Sequence, residues 1–190
     1  MKKGDEVIAR TLFSIYIIFY MFLYLGYILY IHLLRSTYNV VSLSAILLPF
    51  FLLLVFQWMF WTINKSTREK KVSTKCIILS VFCLLLPLSC GIMLGINEQR
   101  ATFTTEKWLD KHEERVYIVD DLLSKHHFIG KTKEEIYELL GEPTETEYFK
   151  TENNIVYYLG DERGLIKIDS EWLVIYFHHN IVTKYSVKTD

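Results

Sequence analysis

Residues 11–34 read TLFSIYIIFYMFLYLGYILYIHLL and contain no Asp, Glu, Lys or Arg. The same is true of residues 36–64 and of residues 76–97. An α-helix needs about 20 apolar residues to cross the roughly 30 Å of hydrocarbon in a bilayer. Soluble helices that are apolar all round occur only in deep cores, and a chain of 190 residues is too small to bury three. The sequence therefore predicts three membrane-spanning helices, at about 11–34, 40–63 and 76–96.

A cleaved signal peptide is the alternative interpretation of the first stretch. Lys2, Lys3 and Arg10 would serve as its basic region. The apolar run is too long for a signal peptide, however, and residues 35–38 (RSTY) offer no pair of small residues for cleavage. We therefore expect the first helix to be retained as a membrane span.

The short loops predict the orientation in the membrane. Eight basic residues precede the first span or lie between the second and third spans: Lys2, Lys3, Arg10, Lys65, Arg68, Lys70, Lys71 and Lys75. The opposite short loop holds only Arg35. Cytoplasmic loops carry the excess of Lys and Arg, so the N-terminus and loop 64–75 are predicted to be cytoplasmic. The chain is then a multi-pass cell-membrane protein with residues 98–190 outside the cytoplasm.

The two halves of the chain differ in charge. Residues 1–97 carry nine Lys or Arg and three Asp or Glu, whereas residues 98–190 carry twelve and nineteen. An acidic domain is a poor fit to nucleic acid, because backbone binding needs clustered positive charge. All three cysteines lie in the third apolar stretch, so the acidic half must rely on a packed core rather than on disulfides.

Two patterns within the predicted spans bear on function. The first span has five tyrosines within about 120° of one another at 3.6 residues per turn: Tyr16, Tyr20, Tyr24, Tyr27 and Tyr30. A phenol in lipid needs a hydrogen-bond partner, so this stripe predicts packing against another helix, with a polar cavity for a ligand or ion as the alternative. The spans contain no Asp, Glu, Lys or Arg, which argues against an ion-coupled transporter.

One face of the third span carries small and sulfur-containing residues: Cys76, Ser80, Cys83, Pro87, Cys90 and Gly91. Small residues allow two helices to approach closely, so this face predicts helix packing. A metal or redox site is disfavoured, because sulfurs seven residues apart are roughly 10 Å apart along a helix axis.

The acidic half is predicted to be an α+β domain. A polar connector, residues 98–112, includes Phe103 and Trp108, which are expected to pack onto the domain that follows at 113–190. Helices are predicted at 113–126 and from Thr132 to Leu140. Strands are predicted at 144–150, 155–159, 172–177 and 181–187, with Asn153-Asn154 turning the first hairpin, His178-His179-Asn180 turning the last, and a short extra strand at 165–168. The expected fold is two helices packed on an antiparallel meander sheet of three or four strands.

The helix that starts at Thr132 has capping or terminating residues at both ends. Thr132 and Glu135 have the spacing of a capping box. Gly141 occupies the position where a left-handed C-cap belongs, and Pro143 blocks continuation of the helix. Structural roles therefore account for these residues.

This run resembles the helix-turn-helix signature of the SmpA/OmlA (BamE-like) small lipoprotein family over roughly residues 113–188. The signature reads Gly-x-Thr, an apolar helix, then Leu-Gly-x-Pro, and the matching positions are Gly130, Thr132, Glu135, Leu140, Gly141 and Pro143. The resemblance implies the two-helix, meander-sheet fold that β-lactamase-inhibitor proteins share, and a role as an assembly or inhibitory partner. Family lipoproteins are anchored through a lipid-modified cysteine, whereas Cys90 lies within the third span here and follows a poor lipobox. We therefore expect helices to anchor this chain.

No catalytic, cofactor or metal site is predicted. The pairs His126-His127 and His178-His179 are interpreted as surface residues, and the second pair, on a strand end, is expected to point to opposite faces. Asp120-Asp121 and Glu134-Glu135 are interpreted as solvated helix faces. The sequence has no nucleophile elbow, P-loop or dinucleotide fingerprint, so an enzyme is the least favoured reading.

Five aromatic residues of the predicted strands are candidates for binding a partner: Trp172, Tyr176, Tyr157, Tyr158 and Tyr185. Alternation leaves some of them on the open face of the sheet, and exposed aromatic residues mark binding surfaces. The alternative is that most of them are core residues. The expected function is a membrane-anchored, extracytoplasmic interaction or assembly module that binds another envelope protein. A sensor whose outer domain binds a ligand and signals through the helices is the alternative.

Overall fold

The structure, a computed structural model, describes residues 3–63 and 70–190. It divides into two compact units, Met1–Glu98 and Gln99–Asp190. The first contains helices only, and the second combines short helices with a sheet. Each unit is described in turn.

Three long helices account for the first unit: α1 (Lys3–Leu34), α2 (Val40–Ile63) and α3 (Lys70–Ala101). Each contains a stretch long and apolar enough to cross a membrane, at Arg10–Leu34, Val40–Met59 and Ile77–Ala101. The prediction of three apolar helices of spanning length is thus confirmed.

The predicted loop 64–75 needs a correction. Residues 64–69 lie outside the described residues, as do Met1 and Lys2. Residues 70–75 are helical, because α3 already begins at Lys70. This stretch contains no Gly or Pro to stop a helix, and Lys is a good helix former.

A tyrosine of α1 satisfies a backbone group that a proline leaves unpaired in α3. Proline has no N–H, so Pro87 cannot donate to the carbonyl four residues earlier in its helix, that of Cys83. The hydroxyl of Tyr20 donates to this carbonyl oxygen at 2.8 Å. Tyr20 is fully buried, so the bond joins α1 to α3 where the α3 ladder is broken.

Two further tyrosines of α1 donate to α2 around its proline. The Tyr16 hydroxyl donates to the carbonyl oxygen of Pro49 at 2.6 Å, and that of Tyr24 donates to the carbonyl oxygen of Ile46. The α1 stripe is therefore a helix-packing face at Tyr16, Tyr20 and Tyr24, in agreement with the packing interpretation. Cys83 and Cys90 of α3 are buried in the same cluster, whereas the Cys76 side chain lies outside the described part of the chain.

The second unit adds short helices and one sheet. After the end of α3 these are α4 (Thr105–Asp110), a 3₁₀ turn (His112–Glu114), α5 (Arg115–Lys125), α6 (Lys133–Leu140), β1 (Asn154–Asp161), β2 (Ser170–His178) and β3 (Ile181–Thr189). The strands form an antiparallel sheet in the order β1-β2-β3. An α+β layout with a three-stranded meander is confirmed, and α4 is an additional helix within the predicted connector.

Residues 144–150 are not a strand, so the first predicted hairpin is wrong. Only Thr144 pairs with β1, through its N–H to the carbonyl oxygen of Val156 at 2.9 Å. Phe149 adopts a positive φ of 55°, which breaks an extended conformation. The Asn154 side chain, at the start of β1 rather than in a turn, accepts from the Thr151 N–H at 2.9 Å and donates to the Phe149 carbonyl at 2.7 Å.

Residues 165–168 are not a strand either, but belong to the loop between β1 and β2. The turn predicted at the end of β2 does form, with φ of 48° at His179 and 66° at Asn180. The rings of His178 and His179 lie 4.1 Å apart, centroid to centroid, instead of pointing to opposite faces. The reason is that His179 belongs to the turn, where strand alternation no longer applies.

The core lies between the helices and one face of the sheet. It is formed by Phe103, Trp108, Val116, Ile118, Val119, Leu122, Phe128, Ile136, Leu140, Ile155, Tyr157, Leu159, Leu173, Ile175 and Val182. Both aromatic residues of the connector, Phe103 and Trp108, are part of it, as expected from the sequence. This face of the sheet is therefore closed.

Trp108 is the central side chain of this core. Its indole N–H donates to the carbonyl oxygen of Leu140 at 3.0 Å, joining α4 to the end of α6. The guanidinium carbon of Arg115 lies 4.7 Å from the ring centroid, and Arg115 Nε donates to the Trp108 carbonyl oxygen at 2.7 Å. Burial lowers the pKa of Arg115 to about 10, so the guanidinium is still charged at neutral pH. A buried cation is thus held by carbonyl oxygens and an aromatic face.

Candidate functional site

The sheet separates the five candidate aromatic residues into two groups. Tyr157 and Tyr185 face the core. Tyr157 is fully buried, its hydroxyl donates to the Gly141 carbonyl oxygen at 2.8 Å, and burial raises its pKa. The half-buried ring of Tyr185 lies 5.5 Å from that of Phe128. Neither residue is presented on the open face of the sheet.

Trp172, Tyr158 and Tyr176 lie on the opposite face, but a covering segment lies over part of this face. Trp172 is only 7% exposed, and the ring of Tyr148 stacks on it at 5.3 Å with an interplanar angle of 24°. Phe149 packs on the same cluster. Segment 144–153, the covering segment, therefore packs over the aromatic face that the sequence predicts to be exposed.

Two polar atoms on this covered face have no hydrogen-bond partner among the described residues. They are the indole N–H of Trp172 and the hydroxyl of Ser186. Trp172 pairs with Lys188 and Val174 pairs with Ser186 across the β2–β3 ladder, so the two side chains are diagonal neighbours. Burying such a group without a partner costs about 1–3 kcal/mol, which weakens the packing of this face.

The most exposed apolar side chains of the second unit lie in the loop between β1 and β2. Leu165 is 70% exposed, Ile166 72% and Ile168 81%. Scattered exposed apolar residues are ordinary on protein surfaces, whereas these three lie close together in one loop of an acidic domain. We call residues 165–168 the apolar loop.

An arginine fixes the base of the apolar loop. Arg163 Nε and Nη2 donate to the two carboxylate oxygens of Glu171 at 3.1 and 2.9 Å, and Nη1 donates to Asp120 Oδ2 at 2.5 Å. The Arg163 backbone N–H also donates to Glu171 Oε1, at 3.0 Å. Burial alone would lower the pKa of Arg163, but the bonds and charges of the two carboxylates outweigh it and raise this pKa. The fork geometry ties the loop to both β2 and α5.

Two other bonds close the loop. The Glu162 N–H donates to the Asp169 carbonyl oxygen at 2.8 Å, across the loop base. Lys167 Nζ donates to the Tyr117 hydroxyl at 3.2 Å, which ties the tip to α5. A loop held in one conformation loses less conformational entropy when it binds. The apolar side chains are therefore presented on a preorganised support.

The sequence contains a signal for this loop, although the pattern of residues 165–168 alone predicts a strand. Leu165, Ile166 and Ile168 are β-branched or bulky apolar residues in a short run, which is the pattern of a buried strand. Three flanking residues, Asp161, Glu162 and Asp169, are acidic and strand-depleted, and they favour a loop. The charge of these flanking residues is the feature of the sequence that indicates a loop.

A groove lies between α1 and α2 in the first unit. It encloses about 860 Å³ and is lined by Phe22, Gly26, Tyr27, Tyr30, Ser42, Ala45 and neighbouring residues. Tyr27 and Tyr30, the remaining members of the tyrosine stripe, therefore line a concave surface, unlike Tyr16, Tyr20 and Tyr24. Tyr30 is 54% exposed. The stripe has two parts, one for packing and one facing this groove.

The described residues contain no group of three or more His, Cys, Asp or Glu side chains that could hold a metal ion. Asp120 and Asp121, in the middle of α5, are engaged in structural bonds. Asp120 accepts from Arg163, and Asp121 accepts from the Phe103 N–H at 2.6 Å and from Lys125 Nζ at 2.7 Å. Desolvation raises the pKa of Asp121, but the Lys125 and Phe103 bonds outweigh it, and the pKa lies below its usual value.

The six signature residues hold one helix and its turns in place. The capping box forms, because Thr132 N–H donates to Glu135 Oε2 at 2.7 Å and Glu135 N–H donates to Thr132 Oγ1 at 3.3 Å. Leu140 is fully buried, and Gly130 and Gly141 have φ of 90° and 73°. The left-handed C-cap predicted at Gly141 does not form, because its ψ is −166°, although its N–H donates to the Tyr137 carbonyl oxygen at 2.8 Å. Pro143 follows the helix end. Comparisons with protein-family models, with curated proteins and with solved structures find no match to this chain, so the BamE-like resemblance stays a prediction.

Proposed function

We propose that this protein is a membrane-anchored, non-enzymatic interaction module that binds another protein of the cell envelope. The observation that carries the proposal is the apolar loop, where Leu165, Ile166 and Ile168 are at least 70% exposed on a rigid support. Such an arrangement costs solubility and contributes nothing to the core. It is explained if a partner covers it.

The membrane anchor follows from the three apolar helices and from the charge of the short loops. Basic residues before α1 and between α2 and α3 favour a cytoplasmic position for both segments. Three crossings then put residues 99–190 outside the cytoplasm. The module is thus proposed to meet its partner in the extracytoplasmic part of the envelope.

Energetics favour an apolar contact with a basic rim. Burying one Leu or Ile side chain contributes about 1.5–3 kcal/mol, so three anchors supply roughly 5–9 kcal/mol before the cost of association. Asp161, Glu162 and Asp169 flank the loop. A partner with an apolar pocket surrounded by Lys or Arg is complementary to this surface, because rim charges set specificity and association rate.

The proposal predicts a crosslink that depends on the apolar loop. A photoreactive amino acid is placed at Asp169, next to Ile168, and the full chain is irradiated in intact cells. We expect one reproducible protein adduct, and we expect the triple variant Leu165→Ser, Ile166→Ser, Ile168→Ser to reduce its yield about tenfold, since the anchor residues are lost. The adduct is quantified by immunoblotting and identified by mass spectrometry.

The control is Ile129→Ser, because Ile129 is 65% exposed but lies outside the loop. It is expected to leave the adduct unchanged. Near-ultraviolet circular dichroism of both variants checks that the module is folded. An undiminished adduct in the folded triple variant, or adducts with lipid alone, would refute binding of a protein through this loop.

A further inference from the structure

Two of the three strands are edges of the sheet, and their outward backbone groups are hydrogen-bonded to different extents. β1 and β3 flank β2, so each presents a row of outward backbone N–H and C=O groups. Proteins usually block such rows, because they are templates for an additional strand. The hydrogen bonds of the second unit show which parts of each row are blocked.

The edge of β1 is blocked by Thr144. Its N–H donates to the carbonyl oxygen of Val156 at 2.9 Å, and its side-chain oxygen accepts from the N–H of Tyr158 at 2.9 Å. Val156 and Tyr158 therefore point their backbone groups away from β2. The covering segment that begins at Thr144 thus protects this edge as well as the aromatic face.

The edge of β3 is blocked only at its beginning. The Gly130 N–H donates to the carbonyl oxygen of Val182 at 2.9 Å, and the Val182 N–H donates to the carbonyl oxygen of Lys131 at 2.8 Å. A bulge at Thr183 follows, because Phe177 pairs with Val182 whereas Tyr176 pairs with Lys184. Beyond the bulge, no segment of the described chain pairs with this edge.

The alternation of the ladder identifies the open groups. The Asp190 N–H donates to the carbonyl oxygen of Ser170, so this pair is hydrogen-bonded. Hydrogen-bonded pairs recur at every second residue of an antiparallel ladder, which makes Lys184, Ser186 and Lys188 the bonded residues of β3. The backbone groups of Tyr185, Val187 and Thr189 therefore point outward. None of these three residues has a backbone partner on that side among the described residues.

We propose that the open edge of β3, from Tyr185 to Thr189, binds an extended segment of a partner protein that carries acidic side chains at alternate positions. Three outward N–H and three outward C=O groups are enough to pair with a strand of about five residues. Lys184 is exposed beside this edge, and β3 contains no acidic residue. Lys188 is half-buried, and its Nζ lies 5.0 Å from the ring centroid of Phe149 and 5.8 Å from that of Tyr176, on the same face of the sheet. Opposite charges on neighbouring strands are favourable, so these lysines select acidic side chains on that face.

A second copy of the chain is the competing occupant. Residues 98–190 carry twelve basic and nineteen acidic residues, so two modules repel each other more strongly than a module repels a short peptide. In the register centred on Ser186, Lys184 of each copy would also lie opposite Lys188 of the other. The charge distribution therefore favours a separate segment over a dimer.

This inference rests on the proposed role as an interaction module, but it uses a different surface from the apolar loop. The probe is a fluorescein-labelled heptapeptide that alternates Glu and Val, compared with the same peptide in which Lys replaces Glu. Both are titrated into the full chain in detergent, and fluorescence anisotropy reports binding. Amide exchange, followed by nuclear magnetic resonance, reports which N–H groups become protected.

The expected result is that the Glu peptide binds about tenfold more tightly than the Lys peptide and slows exchange at Tyr185, Val187 and Thr189. The amides of Lys184, Ser186 and Lys188 are expected to be protected already. Lys184→Glu should weaken binding of the Glu peptide, whereas Lys111→Glu, the same charge change on an exposed side chain of another element, should not.

Thr189→Pro provides a second variant that retains the fold, since proline is accepted on an edge strand where its missing N–H would face outward. It should weaken binding of the Glu peptide by about fivefold through the loss of one hydrogen bond. Equal binding of the Glu and Lys peptides, or binding without slowed exchange at the three outward amides, would overturn the inference. So would a dimer that protects these amides without peptide. Loss of peptide binding with an intact loop-dependent crosslink would remove this inference alone.

Discussion

Replacing Gly160 with alanine is expected to destabilise residues 99–190 by about 4 kcal/mol. Gly160 has φ of 126°, a conformation that side chains rarely adopt, and an added Cβ would lie 2.4 Å from the carbonyl oxygen of Glu113. That oxygen belongs to the 3₁₀ turn that leads into α5, so the clash separates β1 from the helical layer. The loss is a large part of the roughly 5–15 kcal/mol typical of a domain.

Gly130→Ala is the matched control for this prediction. Gly130 also has a positive φ, of 90°, but no atom lies within 4 Å of its added Cβ. The control should therefore lose only about 1–2 kcal/mol, from backbone strain. Urea unfolding of the full chain in detergent, followed by tryptophan fluorescence, measures both free energies. Equal losses of unfolding free energy in the two variants would contradict the close contact between Gly160 and Glu113.

The same substitution at two buried tryptophans is expected to give different losses of stability. Trp108→Phe removes an indole N–H that donates to the Leu140 carbonyl oxygen at 3.0 Å, and leaves that oxygen unpaired. It also weakens the stacking of Arg115. Trp172→Phe removes an N–H that has no hydrogen-bond partner within residues 3–63 and 70–190 as described. We expect losses of about 3 kcal/mol at Trp108 and about 1 kcal/mol at Trp172.

Each tryptophan variant serves as the control for the other, because both side chains are at least 93% buried. Differential scanning calorimetry of the full chain, under one detergent condition, compares the two unfolding temperatures. A larger loss at Trp172 than at Trp108 would contradict the hydrogen-bond assignment of both indole groups.

The sequence predicted the elements whose signals are local. The capping box of Thr132 and Glu135, the turn at His179-Asn180 and strands β2 and β3 depend on residues close to one another in the chain. The three apolar helices depend only on length and on the absence of charge. The residues that specify these features lie close together in the chain, so a pattern is sufficient to predict them.

The elements that the sequence missed depend on distant contacts. Residues 144–150 have the composition of a strand, but Tyr148 and Phe149 cover the face of the sheet that contains Trp172. Helix α4 has only six residues, too few for a periodic pattern. Tertiary contacts override local propensity in both places.

The candidate site could be predicted only in part. All five aromatic residues belong to strands, as expected, and strand alternation divides them between the two faces. Which face the helices bury, and the covering of the other face by segment 144–153, depend on contacts between distant residues. The exposure of Leu165, Ile166 and Ile168 depends on Arg163, which bonds to Glu171 across the loop and to Asp120, a residue distant in sequence. Apolar residues alone cannot reveal that they face water.

The central claim is that three helices cross a membrane and display the apolar loop outside the cytoplasm. The most direct test is labelling of Ile168→Cys in intact cells with a membrane-impermeant maleimide, since Ile168 is 81% exposed. Gly4→Cys, near the start of α1, marks the cytoplasmic side, and the parent chain gives the background from its native cysteines. We predict that Ile168→Cys is labelled in intact cells and Gly4→Cys only after permeabilisation. Labelling of Ile168→Cys only after permeabilisation would contradict the proposed topology and the proposed partner in the envelope.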